Sequence, residues 1–333
     1  MGVYKAAMDV GTNSCRLIIA EIYEGSDFTH VRQLRMTRIG EGLGKGDLYI
    51  NRRAMDRTLE ALEEFRALIA GFPVEKTWLL GTQALREAGN SAAFVHEVKA
   101  RTGFDLEIIS GELEAYLSYT GAVMGLKDPG LARPFVLDIG AGSTELFYEE
   151  DAEAPSDDDP HGALHSDLHS ALNNAPNSVT HGIYGALKGG SAPVGSLRLL
   201  ENPVPAKEIQ AMLNTYWGER GSVGDSMNNR SLVAVGGTAT TLGAIHLRMK
   251  EYDPEVLLGL RISRSQVQDV IDLLESLSSA ERLALPGMLP GREDVMPWGL
   301  RILLEAMAYC GRDEVIICDR DLLYGVMYTR NQI

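Results

Sequence analysis

Long apolar runs are missing from the 333-residue chain. No stretch approaches the ~20 residues that carry a helix across a bilayer, so no helical membrane anchor is expected. Cysteine is nearly missing too: Cys15, Cys310 and Cys318 are too few for a disulfide framework, and each lies in an apolar run where a reduced thiol packs as a small hydrophobe. With no charged leader or cleavage-site pattern ahead of the first apolar segment, the cytoplasm is the expected compartment. Basic charge is scarce: 31 Lys and Arg face 46 Asp and Glu, a net charge of −15, which argues against a nucleic-acid partner. Residues 149–187 contain no Lys or Arg at all, and their acids, Pro, Ser and Asn predict a surface insertion. The basic residues between 31 and 57, Arg32, Arg35, Arg38, Lys45, Arg52, Arg53 and Arg57, could steer an anion or simply pair with neighbouring acids along a solvated helix.

What is present suits two hydrophobic cores rather than one. Residues 3–10 and 15–23, joined by "GTNS", read as a hairpin. Met55, Leu59, Leu62, Phe65 and Ile69 recur at helical spacing, with Gly71 and Pro73 as the stop. "KTWLLGTQAL" reads as a strand into a turn, "SAAFVHEVKARTG" as a helix, "LEIIS" as a strand and "GELEAYLSYTGAVMGL" as a helix. Glu112 and Glu114 in the first turn of that last helix would suit its dipole without any further role. A second strand, turn and strand at 135–148 places a domain boundary near residue 130, giving domains 1–129 and 130–333. Beyond the insertion come a strand and Gly-rich turn opening a helix in "SLVAVGGTATTLGAIHL", two further helices, the strand "EVIICD" and a last helix near 320–331 that could pack back on the first domain.

The two hairpins repeat one another. "AAMDVGTNSCRLII" aligns without gaps on "FVLDIGAGSTELFY", so that Asp9 meets Asp138, Gly11 meets Gly140 and Ser14 meets Ser143, while Arg16 faces Glu145. The repeat distance of 129 residues is that of a domain, not of a solenoid unit. Each tip exposes backbone N–H groups on small residues, which is how a phosphate chain is held. An Asp entering such a turn, as Asp9 and Asp138 do, can bind Mg²⁺ directly or through its waters. A third Gly-rich loop, Gly236, Gly237 and Thr238, opens a helix and adds the anion preference of a helix N-terminus. Three such loops at this spacing point to phosphate.

The segments "MDVGTNSCRLIIAE", "IGEGL", "LGTQALREAGN", "IISGELEA", "VLDIGAGSTEL", "PVGSLRL", "VAVGGTATTLGAI" and "REDVMPWGLRIL" together resemble the Ppx/GppA family of exopolyphosphatases and guanosine pentaphosphate phosphohydrolases, within the actin, sugar kinase and Hsp70 superfamily. The resemblance covers the chain apart from the insertion. It implies an α/β fold of two actin-like (ribonuclease H-like) domains, each a mixed sheet flanked by helices, with an active-site cleft between them. It also implies roles: Glu114 as the base that activates water, Asp138 and Glu145 as groups that bind Mg²⁺ (or Mn²⁺) or arrange phosphate and water, and Arg86 as a phosphate contact. Gly11, Thr12, Asn13 and Ser14 would form one phosphate loop, with Arg16 as cationic help; Gly140, Ala141, Gly142, Ser143 and Thr144 would form the other, and Asp9 joins Asp138 and Glu145 as a candidate metal ligand. Polyphosphate or guanosine pentaphosphate is the expected substrate, and a homodimer is an expectation of the same kind. A phosphotransferase built on the same cleft, or an alarmone sensor with weak turnover, are the alternatives.

Departures from the family pattern accompany the matches. Leu113 stands where a first Glu is usual, which leaves Glu114 without an acidic neighbour in sequence to raise its pKa. Ala141 replaces a Gly, a strained change only if its φ is positive. Tyr116 and Tyr324 stand where many members have Arg, which would weaken the grip on a long polyanion. His161, His165 and His169, spaced by four residues, with His181 beyond, could hold a transition metal if helical, although a solvated loop explains them equally.

Overall fold

The computed structural model describes residues 2–23, 26–43, 48–126, 133–149, 187–218 and 230–329; the histidines at 161, 165, 169 and 181 lie outside them. Two sheets carry the fold. The first has the order β3-β2-β1-β4-β5, from β1 (Val3–Val10), β2 (Cys15–Tyr23), β3 (Ser26–Arg35), β4 (Lys76–Gly81) and β5 (Leu106–Ile108). The second runs β10-β11-β9-β6-β7-β8, from β6 (Phe135–Ile139), β7 (Thr144–Glu149), β8 (Leu187–Ala192), β9 (Leu232–Val235), β10 (Arg261–Ser263) and β11 (Glu314–Ile317). In each, three antiparallel strands are followed by two parallel ones on the far side of the first strand, so the repeat seen in the hairpins extends to whole-sheet topology. The strand β10 adds an antiparallel edge to the second sheet.

Helices cover both sheets. The first half holds α1 (Arg52–Ile69), α2 (Gln83–Glu87), α3 (Ser91–Thr102) and α4 (Gly111–Leu126). The second holds α5 (Ser196–Glu201), α6 (Ala206–Trp217), α7 (Gly236–His246), α8 (Pro254–Leu257), α9 (Arg264–Ser276), α10 (Ser279–Leu283), α11 (Met296–Cys310) and α12 (Leu322–Thr329). Asn51 caps α1 by accepting from the N–H of Ala54, and the predicted stripe Met55, Leu59, Leu62 and Phe65 is buried against β1 and β2. Gly103, left-handed at φ 78°, closes α3. The three cysteines are reduced and buried.

β3 is absent from the sequence reading, and its pattern explains why: it lies at the sheet edge, alternates exposed and half-buried positions, and offers no apolar run. Five of the basic residues between 31 and 57 are ion-paired, Arg32 with Asp319, Arg35 with Glu64, Arg38 with Asp294, Arg52 with Asp56 and Glu97, and Arg57 with Glu41. Arg35, Arg52 and Arg57 pair within the first half, whereas Arg32 and Arg38 reach across to acids of the second.

The two halves are joined by helices that sit on each other's sheets. Ala115, Tyr119 and Ala122 of α4 pack with Val136, Phe147, Val233 and Val235 of the second sheet. Conversely Leu323, Val326 and Met327 of α12 pack with Ala7, Ile18 and Ala20 of the first. Where α4 and α12 cross, Gly121 and Gly325 let the backbones touch: a Cβ on Gly325 would overlap the carbonyl oxygen of Leu117, and one on Gly121 that of Asp321. Backbone on both sides leaves nothing flexible to yield. Gly325→Val should therefore destabilise the protein by about 3 kcal/mol or more, the upper range for overpacking, visible as a lowered thermal midpoint. An unchanged midpoint would show that the helices can separate freely.

Candidate active site

The two hairpins present the same register with opposite charge. Asp9 is directly opposite Arg16 across β1 and β2, and Asp138 is directly opposite Glu145 across β6 and β7. In the first hairpin the charges cancel. Arg16 Nε donates to Asp9 Oδ1 and Oδ2 at 3.0 and 3.2 Å, its Nη2 donates to Oδ2 at 2.7 Å, and its Nη1 donates to Asp321. In the second hairpin two carboxylates oppose one another, which is destabilising unless a cation or a proton intervenes. Asp138 Oδ2 accepts a hydroxyl hydrogen bond from Ser118 at 3.1 Å, and Glu145 Oε1 one from Ser191 at 2.6 Å, with Ser143 also hydrogen-bonding Glu145. Burial, then the charges of Asp321 and Glu114, push the Asp138 carboxyl up to about 7. Burial, then Glu114 and Asp138, push Glu145 well above the usual carboxylate range.

Glu114 enters from the first turn of α4. Arg86 Nη1 donates to Glu114 Oε2 at 2.7 Å and to the carbonyl of Ile109 at 2.9 Å, while its Nη2 donates to Gln83. Arg86 thus holds the carboxylate in place and has little left for phosphate. Burial raises the pKa of Glu114, and the Arg86 charge opposes the rise. The acidic neighbour missing at Leu113 is supplied from elsewhere in the fold, since Asp9 on β1 adds to the upward shift. That corrects the expectation from the sequence: distant residues furnish what the adjacent one lacks.

The loops converge around these acids. Gly11 N–H donates to the Ser14 carbonyl and Gly140 N–H to that of Ser143, both at 2.9 Å, so the two tips are the same turn. They face each other closely, for a Cβ on Gly142 would lie 2.6 Å from Thr12 Oγ1. Ala141 lies outside the positive-φ residues, and its carbonyl accepts from the N–H groups of Leu197 and Arg198, so the exchange from Gly imposes no backbone strain. Gly236 does have positive φ, 77°, and a Cβ there would come within 2.5 Å of Asp138 Oδ1. A cavity of about 80 Å³ lies between the three loops, walled also by Asp9, Arg16, Glu114 and Asp138. Thr238 lines it but ties its hydroxyl to the Ile139 carbonyl at 2.9 Å. Arg86, Thr144 and Glu145 stand outside the lining, and Thr144 donates to the Val194 carbonyl.

The family model described as the Ppx/GppA phosphatase family matches residues 18–157 and 187–332. The chain belongs to that family. Exopolyphosphatase 2 of Mycobacterium tuberculosis is 29% identical over 347 residues, covering 96% of each chain. A bifunctional 3-dehydroquinate synthase/phosphatase of Fusobacterium nucleatum and a guanosine-5'-triphosphate,3'-diphosphate pyrophosphatase of Aeromonas hydrophila are each 26% identical over 97% of this chain, which spans 46% and 58% of their respective lengths. Among solved structures, an exopolyphosphatase-like protein superposes with a TM-score of 0.81 at 27% identity, over 99% of this chain and 98% of that one.

For this Ppx/GppA member the metal set expected from the sequence needs correction. Asp9 has both oxygens committed to Arg16, and among the described residues no three His, Cys, Asp or Glu side chains converge to hold an ion. Of the expected metal ligands, Asp138 and Glu145 remain as hard carboxylate oxygens of the kind Mg²⁺ prefers. Arg16 is likewise engaged on three donors by carboxylates rather than open to phosphate. Tyr116 and Tyr324 are buried in the core between α12 and the first sheet, and Tyr324 Oη is bonded by Thr29, Arg32 and Arg320. Neither leaves a hole in the cleft.

Two residues escaped the sequence reading. Arg292 lines the cavity, its guanidinium lies over Gly237 where any Cβ would overlap it, and its Nε is shut from water without a hydrogen-bond partner. Burial, reinforced by Arg16, pushes its pKa down to about 10. A cation so placed wants an anion. Its only signal was the segment "GREDVMPWG", where helix spacing drew attention past it. Asp321, the second partner of Arg16, comes from 305 residues away and carried no local signal.

Across the mouth, the halves are latched by Arg38 to Asp294 at 3.0 Å and by Arg198 to Glu87. Arg198 Nε also donates to the Gly142 carbonyl at 2.6 Å. The small cavity is thus that of a closed cleft.

Proposed function

We propose that the protein is a metal-dependent phosphohydrolase that releases terminal phosphate from inorganic polyphosphate or guanosine pentaphosphate. The observation that carries this reading is the opposed Asp138 and Glu145 pair of the second hairpin, with Asp138 and Glu114 lining the cavity between three phosphate-type loops. The names of the exopolyphosphatase and guanosine pyrophosphatase relatives support the substrate class. Bound between Asp138, Glu145 and substrate, Mg²⁺ would neutralise charge on the phosphoryl group. The N–H groups of the loops at Gly11–Ser14, Gly140–Ser143 and Gly236–Thr238 orient the chain of phosphates, and Arg292 pairs with it. Glu114, its carboxylate fixed by Arg86, takes the proton of the attacking water; its raised pKa makes it a better base at neutral pH. Phosphate release measured on long polyphosphate and on guanosine pentaphosphate with Mg²⁺ tests the proposal, and the absence of release from both would end it.

A stability signature follows from Asp138. Its folded pKa of about 7 exceeds the ordinary 3.8, so between these values the native state holds a proton that the unfolded chain has lost. Stability therefore falls as pH rises through that window. Without divalent ions the thermal midpoint should drop from roughly pH 5 to pH 8, and Mg²⁺ should restore it more at the higher pH, because the metal competes with the proton. A midpoint independent of both would remove Asp138 from the metal's shell.

A further inference from the structure

The segment "PVGSLRL" leads into α5, which packs directly on the second phosphate loop. Gly195 comes so near that a Cβ there would overlap the Ala141 carbonyl. The first N–H groups of α5 go to that loop: Ser196 donates to the Gly140 carbonyl at 3.0 Å, and Leu197 and Arg198 donate to the Ala141 carbonyl at 3.0 and 3.3 Å. The next carbonyl, that of Gly142, takes a side chain instead, Arg198 Nε donating to it at 2.6 Å. In a planar trans peptide the C=O and the following N–H point in opposite directions. With the carbonyls of Gly140, Ala141 and Gly142 turned to α5, the N–H groups of Ala141, Gly142 and Ser143 are turned the other way, and these three residues line the phosphate cavity. Successive N–H groups arranged like this form an anion-binding concavity.

The side chain that holds Gly142 has a second partner, and that partner belongs to the other half. Arg198 Nη2 donates to Glu87, the last residue of α2. Glu87 also accepts from Gln83 Nε2, Gln83 accepts from Arg86 Nη2, and Arg86 Nη1 donates to Glu114. An unbroken run of side chains therefore joins the carboxylate that would take the proton of water to the loop that would hold phosphate. The planar fork of Arg198 suits this place, since it serves two acceptors at once where an ammonium serves one point. Side-chain exposures of 26% for Arg198 and 34% for Glu87 mean that the ion pair itself adds little stability, so its effect lies in geometry. We propose that Arg198 and Glu87 are a positioning pair, which fixes the peptide between Gly142 and Ser143 and sets the second phosphate loop at its working distance from Glu114. The proposal rests on the phosphohydrolase reading of the cleft.

Steady-state phosphate release with Mg²⁺ tests it on the full chain, using tripolyphosphate or guanosine pentaphosphate, whichever the intact protein turns over faster. A misplacement of about 1 Å can cost ~10²-fold in rate, so Arg198→Ala should lower kcat about 30-fold while KM stays within about threefold. Its thermal midpoint should stay within about 2 °C of the intact protein's, as loss of a part-exposed ion pair allows. Glu87→Ala should lower kcat about tenfold, and the double variant should be no slower than Arg198→Ala, because both changes cut one run of hydrogen bonds. Arg198→Lys keeps the charge without the fork; it should lose about as much as Glu87→Ala, and it serves if Arg198→Ala fails to fold. An unchanged kcat in the Arg198 variants, a loss confined to KM, or losses that multiply in the double variant would overturn the positioning pair and leave the phosphohydrolase reading in place. No release of phosphate from either substrate by the intact protein would end both.

Discussion

Glu114→Gln is expected to cut phosphate release by about 10²–10⁴-fold, the range for removing a positioned general base, while phosphate binding and the thermal midpoint hardly change. The amide keeps the shape of the side chain and still accepts from Arg86, so the hydrogen bonds that fix the first turn of α4 survive. What disappears is the capacity to take a proton. The cleft also loses a negative charge that now raises Asp138 and Glu145, so both should titrate lower in the variant. Steady-state phosphate release beside equilibrium binding distinguishes the outcomes. A variant that binds and hydrolyses at the normal rate would remove Glu114 from the chemistry, and one that neither binds nor hydrolyses would make it a structural partner of Arg86.

Asp138→Asn should part activity from stability. Hydrolysis is expected to fall by about 10²-fold or more, because a neutral amide is a poor Mg²⁺ ligand, and the dependence on Mg²⁺ concentration should shift to higher values. The metal-free protein, in contrast, should gain roughly 1–3 kcal/mol at neutral pH, since a neutral Asn needs neither to take up a proton nor to bury a charge where Asp138 must do one or the other, and the Ser118 hydrogen bond remains. Functional sites commonly hold strain of this kind, which their ligand relieves. Thermal unfolding in the absence of divalent ions reads the gain directly. A loss of stability would show that Asp138 is structural in the apoprotein.

Much of the fold could be read from local pattern. The hairpins at 3–10 and 15–23 have the bounds predicted for them, because an apolar run, an Asp, a short polar turn and a second apolar run leave little conformational choice. The amphipathic α1 and the Gly103 stop of α3 were equally plain. β3 was not, since an edge strand that pairs on one side needs no apolar alternation. The last helix was expected to pack back on the first domain, but its crossing with α4 was not, because a helix that is apolar on all sides, as α12 is, does not say which helix it meets.

The site divides along the same line. Asp138, Glu145 and Glu114 stood out through the family resemblance of the segments that carry them. Their relations did not. Alignment put Arg16 and Glu145 in equivalent places, and only the strand register shows that one neutralises its own Asp while the other opposes its own. The charge exchange between the hairpins therefore means that the first is internally balanced and the second is not. Arg292 lies in a family segment that gave it no role and Asp321 in none, so only the folded arrangement reveals what they do.

Hydrolysis of tripolyphosphate in ¹⁸O-labelled water, with the released orthophosphate examined by mass spectrometry, tests the central claim most directly. One labelled oxygen in each orthophosphate released in the first turnover, lost together with the activity in Glu114→Gln, is the result expected if Glu114 directs water at the terminal phosphoryl group. Release of unlabelled orthophosphate, or transfer of the phosphoryl group to an added acceptor in preference to water, would contradict it.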